Sequence, residues 1–131
     1  MIPLLAGIYS RYDTSGAFKT ALTGGMFLEL APQGTATPYG TYQIIIGRPD
    51  YYFDRVHEIV TVQFDLYAGL NTTRLDLYNK LTTLYDDARP TATGYTSIIM
   101  ERKNQIFVRE GDQNQIFRAM VEYQATIEKA N

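Results

Sequence analysis

A chain of 131 residues that is 45% apolar and 20% charged has the size and composition of one globular domain, and no segment is long or pure enough to cross a bilayer as a helix. Twelve Lys and Arg against fourteen Asp and Glu leave a formal charge of -2, which argues against a general electrostatic grip on nucleic acid. With no cysteine and a single histidine, His57, the chain excludes disulfides, thiolate metal sites, cysteine nucleophiles and multi-histidine metal sites.

The first stretch, MIPLLAGIYSRYD, starts apolar but has no basic flank, and Ser10 and Arg11 interrupt it, so it is expected to be a helix and not a secretory signal. A cytoplasmic protein is therefore expected. A short helix spans Pro3 to Tyr12, with Leu5, Ile8, Tyr9 and Tyr12 on one face, and Ser15 to Leu22 continues it or forms a second helix. Gly24 and Gly25 suit the left-handed backbone that ends a helix. A strand follows at Met26 to Leu30, then a loop fixed by Pro32, Gly34 and Pro38, then a second strand at Thr41 to Ile46.

The clearest alternation in the chain sets Val60, Val62, Phe64 and Leu66 against Thr61, Gln63, Asp65 and Tyr67, and predicts a core strand from Val56 to Ala68. Helical spacing then takes over from Thr73 to Asp87, with Leu77, Tyr78, Leu81, Leu84 and Tyr85 on one face, Thr72 or Thr73 as N-cap and Pro90 as the stop. Tyr95 to Glu101 and Gln115 to Ile127 read as strands, the latter alternating Phe117, Ala119, Val121, Tyr123 and Ala125 with Arg118, Glu122 and Gln124. Between them, Arg102 to Asn114 either extends a hairpin or forms an irregular arm. This order of elements gives an α+β fold, a mainly antiparallel sheet packed with helices in a single-domain sandwich over residues 1–131.

Chemistry is hard to build from these residues. His57 beside Glu58 lacks a serine nucleophile motif or a second histidine and reads as a rim residue. Asp86 and Asp87 end a helix where the macrodipole disfavours negative charge, so a solvated end or a pair with Arg89 is expected. Glu110-Gly111-Asp112 offers too few oxygens for a calcium loop and reads as a turn. Gly24-Gly25 precedes a strand, the wrong context for phosphate binding. No catalytic residue, metal site or cofactor is expected.

Two segments carry more apolar and aromatic residues than a small monomer can bury. Tyr51, Tyr52 and Phe53, followed by Arg55, are consecutive, and so are Ile106, Phe107 and Val108, so neither trio can point to one side of a strand. Arg102, Lys103 and Arg109 flank the second trio but are offset by Glu101, Glu110 and Asp112, which suits a protein-protein rim better than nucleic acid. These ten residues (Tyr51, Tyr52, Phe53, Arg55, Arg102, Lys103, Ile106, Phe107, Val108 and Arg109) are the expected subunit or partner interface. Eleven tyrosines with no tryptophan fit either such a surface or the rim of a sheet core.

The segment LTGGMFLELAPQGTATPYGTYQIII at Leu22–Ile46, the strand VTVQFDLYA, the amphipathic helix after it and the closing RAMVEYQA together resemble the phage tail-completion or tail-terminator family of long-tailed phages and gene transfer agents, over most of the chain. The resemblance implies a structural protein of the virion tail or neck, assembled in the bacterial cytoplasm, with no enzymatic activity. It implies a homo-oligomeric ring, usually of six copies, that caps the tail tube protein and meets a head-tail connector or stopper protein. DNA would pass through its channel without specific binding, and no membrane is involved. A head-completion or stopper protein is the neighbouring alternative, and a small-molecule-binding or hydrolytic α+β domain a more distant one.

Overall fold

The structure is a computed structural model that describes residues 2–51, 56–111 and 116–129, with backbone alone at 50, 51, 56 and 129. Three helices and five strands follow one another as α1 (Ile2–Asp13), α2 (Ala17–Ala21), β1 (Met26–Leu28), β2 (Tyr39–Tyr51), β3 (Val56–Ala68), α3 (Asn71–Tyr85), β4 (Tyr95–Glu110) and β5 (Ile116–Lys129). The strands form one sheet in the order β1-β2-β3-β5-β4. Only β1 runs parallel to its neighbour, while the β2–β3, β3–β5 and β5–β4 pairs are antiparallel, so the α+β expectation holds.

Period-two patterning places the core. Val60, Val62, Phe64 and Leu66 on β3 oppose Ala125, Tyr123, Val121 and Ala119 on β5, and all eight are buried. Directly opposed residues share a face, so this face belongs to the helices. Leu77, Leu81 and Tyr85 of α3 and Leu4, Ile8 and Tyr12 of α1 are buried on it. The hydroxyl of Tyr85 donates to the Ile8 carbonyl at 2.7 Å and joins the two helices, while its ring lies 4.6 Å from that of Phe64. On α1 the buried stripe includes Leu4, which the expected face omitted, and Tyr9 stays partly exposed over Tyr42.

The segment between helix and sheet turns on two different glycine properties. Gly25 adopts φ 99°, the left-handed conformation expected of it. Gly24 serves by closeness instead: a Cβ there would lie 2.1 Å from the Ala36 carbonyl oxygen, so only hydrogen lets the 29–38 loop close over it. Strand β1 stops at Leu28, two residues sooner than expected, because Glu29 turns to φ 63°.

Three further expectations are corrected. The residue before α3 is Leu70, with no side-chain cap, and neither Thr72 nor Thr73 serves as one; Asn71 instead accepts from Arg74 at 2.5 Å. Asp86 does not pair with Arg89: it accepts the Tyr123 hydroxyl at 2.7 Å and an Arg102 nitrogen at 3.3 Å, which neutralise it at the helix end. On β3 Val60, the residues from Val62 to Leu66 and Ala68 are buried, whereas His57, Glu58, Ile59, Thr61 and Tyr67 are half-buried.

Candidate assembly surface

Over residues 102–110, the segment left open in sequence extends the hairpin. Strand β4 runs on to Glu110, opposite Ile116, with register shifts at Tyr95/Ser97 and at Arg102/Asn104. It is the outer strand of the sheet, and a backbone bond from Met100 to the Ala88 carbonyl covers its edge only near its middle. From Glu101 to Glu110 no strand lies beyond it among the described residues. At the opposite side β1 pairs with only Gly40, Thr41 and Tyr42, so β2 is likewise without an outer neighbour from Gln43 onward.

Register sorts the expected interface residues between faces. Arg102, Phe107 and Arg109 oppose Tyr123, Ala119 and Phe117 and lie on the helix face; Ile106 and Val108 oppose Met120 and Arg118 and lie on the other. Lys103 sits in the bulge. Phe107 is 41% exposed, with its ring edge-on to Tyr78 of α3, and Ile106 is 44% exposed. Arg102 is drawn inward by Asp86 and donates to the Tyr78 hydroxyl. Tyr51 ends β2 with only its backbone described, and Tyr52, Phe53 and Arg55 lie outside the described residues.

Residues that sequence reasoning passed over enlarge the picture. Ile46 is 61% exposed and Ile45 is exposed beside it, at a bulge between Ile44 and Ile46 on the bare part of β2. Ile46 opposes Thr61, so it lies on the same helix-free face as Ile106. The signal was available: three consecutive isoleucines cannot all face inward, by the reasoning applied to Ile106–Val108.

The helix-free face also carries a transverse polar row. The Tyr39 and Tyr67 rings stack at 4.8 Å, the Arg118 guanidinium lies 5.3 Å over Tyr67, and it bonds Asp65 at 3.1 Å and Glu110 at 3.4 Å. Gln63 donates to Asp65 at 2.9 Å, so the carboxylate, only 3% exposed, is partnered as burial requires. The row crosses β2, β3, β5 and β4 and leaves no acid or base free for a substrate.

Chemical sites are equally sparse elsewhere. A hollow of about 490 Å³ is lined by Ile2, Pro3, Ala6, Gly7 and residues 91–93, without a charged group. A second, of about 310 Å³, lies between α2 and α3 beside Arg11 and Lys80, and both cations are engaged, with the Leu84 carbonyl and with Asp76. Glu128 lies 3.4 Å from His57 at the end of the sheet, and no cluster of three metal-ligating side chains occurs among the described residues.

No family model and no curated protein matches the sequence. The fold is nevertheless shared with a chain of a solved structure described as "Virion of native gene transfer agent (GTA) particle", at a TM-score of 0.78 and 9% identity, over 96% of this chain and 95% of that one. Likeness at that identity is a likeness of fold.

Proposed function

We propose that this chain is a non-enzymatic structural protein of a virion, and within that class a tail terminator: a single-domain subunit that closes into a ring through two unlike edges, caps the tail tube and joins it to the head connector. The observation that carries the ring is that pair of edges. Because β2, β3, β5 and β4 alternate in direction, the β4 edge of one copy can meet the β2 edge of the next as an antiparallel pair. An interface between two different patches repeats around an axis and closes as a ring when the rotation allows. Ile46 and Ile106, exposed on one face of those two edges, would leave water at that junction. The fold shared along nearly the whole chain with a component of a gene transfer agent virion supports the virion setting, and the motifs from Leu22 to Ile46 and from Val60 to Ala68 support the terminator role.

Electron microscopy of the purified protein, alone and mixed with tail tubes, tests this reading. Rings seated on one end of the tubes are expected. Rings that bind a head connector but never a tube end would reassign the chain to another neck position, and a monomer under all conditions would refute ring closure.

A further inference from the structure

Near its turn the β4–β5 hairpin is held from α3 by Arg74, beside the contact of Tyr78 with Phe107. Arg74, in the first turn of α3, donates through Nη1 to the Val108 carbonyl at 3.1 Å and to the Arg118 carbonyl at 3.4 Å, two residues that face each other across the hairpin. Its Nη2 donates to Asn71, and its guanidinium lies 5.2 Å from the Phe107 ring centre and 5.3 Å from that of Phe117. One side chain therefore touches both strands, by hydrogen bonds and by cation–π contact at once. Its Nε is buried without a hydrogen-bond partner among the described residues, so the group is held for its outer nitrogens and its flat faces.

A solvent-facing outer strand frays readily, because half of its backbone groups have no strand partner and its tip has few apolar contacts. Strand addition by another chain is weakened when the receiving edge must first be ordered. We infer that Arg74 is a positioning residue: by pinning the hairpin tip to α3 it presets the bare β4 edge from Asn104 to Glu110 as a fixed strand for a second copy of this chain. This rests on the ring reading above. A lysine would keep the charge but lose the planar fork and the stacking, so charge alone would not replace it.

The test compares wild type with R74M and R74K by two readouts. In the isolated chain, amides at 104–110 and 116–118 are expected to exchange at least tenfold faster in both variants, while those at Val62–Leu66 and Val121–Ala125 keep wild-type rates. In assembly, both variants are expected to need at least tenfold more protein to form rings, alone or on tube ends, with unchanged copy number in the rings that form. Urea midpoints within the wild-type range identify a folded variant, and R74K serves if R74M fails to fold. Unchanged exchange at the tip overturns the clamp, as does a loosened tip with normal assembly, and R74K behaving as wild type overturns the geometric role. A wild type that never assembles refutes the ring reading and this inference with it, whereas normal wild-type rings with equally competent variants refute the inference alone.

Discussion

Tyr85 at the end of α3 and Tyr123 of β5 lie side by side, fully buried, with one acceptor each: the Ile8 carbonyl and Asp86. Burial pushes both phenols well above the ordinary tyrosine pKa of 10.0, and at Tyr123 the adjoining Asp86 carboxylate adds to it. Burial raises Tyr12, Tyr42 and Tyr67 as well. A group whose folded pKa lies above its unfolded one stabilises the fold fully below the unfolded value and loses that contribution as pH rises toward the folded one. Stability is thus expected to be level through neutral pH and to fall above about pH 10, by up to about 1.4 kcal/mol per pH unit for each of the two fully buried phenols. Denaturant midpoints between pH 8 and 11, with phenolate absorbance recorded in parallel, check this. Ionisation of all eleven tyrosines near pH 10 with the fold intact would contradict it. Composition announced many tyrosines and suggested a surface or rim role, while the apolar face of α3 and the alternation of β5 already set Tyr85 and Tyr123 inward; their hydrogen-bond partners depend on contacts between α1, α3 and β5, far apart in sequence, which no local pattern encodes.

At the scale of elements, the outer strands are where assembly should be vulnerable. Ile46→Lys and Ile106→Lys place a charge on the bare edges, and since both positions are largely exposed, each is expected to change monomer stability by no more than about 0.5 kcal/mol. In a strand junction the same charge would lie in an apolar contact, so ring formation should be abolished. Light scattering together with thermal unfolding separates the two effects, and variants that assemble normally would remove these edges from the interface. Leu77→Ala gives the contrast: it empties a fully buried position and should cost about 2 to 5 kcal/mol of stability in the monomer itself. The strands with strict alternation, β3 and β5, and the helix with a regular apolar stripe, α3, were legible in sequence because one face of each meets the core. The reach of β2 and β4 was not. Both have exposed residues on their outer halves, and each is interrupted by a bulge, at Ile44/Ile46 and at Arg102/Asn104, which breaks the period of two where it would be read. The terminal contacts of Asp86 escaped for a different reason, since Arg102 and Tyr123 come to it from two other strands of sequence.

For the whole molecule, charge and topology bear on how a ring would treat DNA. Each copy carries a formal -2. The helix-free face presents Arg48 and Arg118 among Asp65, Glu101, Glu110, Glu122 and Glu128, and Arg118 is already bonded to two of those carboxylates. If that face lines the channel, a passing duplex meets a wall in which carboxylates outnumber arginines, and few phosphates can be neutralised. Affinity should then be weak and nearly independent of salt, because each phosphate contact adds only about -0.9 to the slope of log K against log salt and few contacts form. A slope smaller in magnitude than about 2 is expected. Titration of assembled rings with duplex DNA across a salt series measures it directly. Tight binding with a steep slope would mean that a basic surface faces the channel, and with it that the helix-free face points elsewhere.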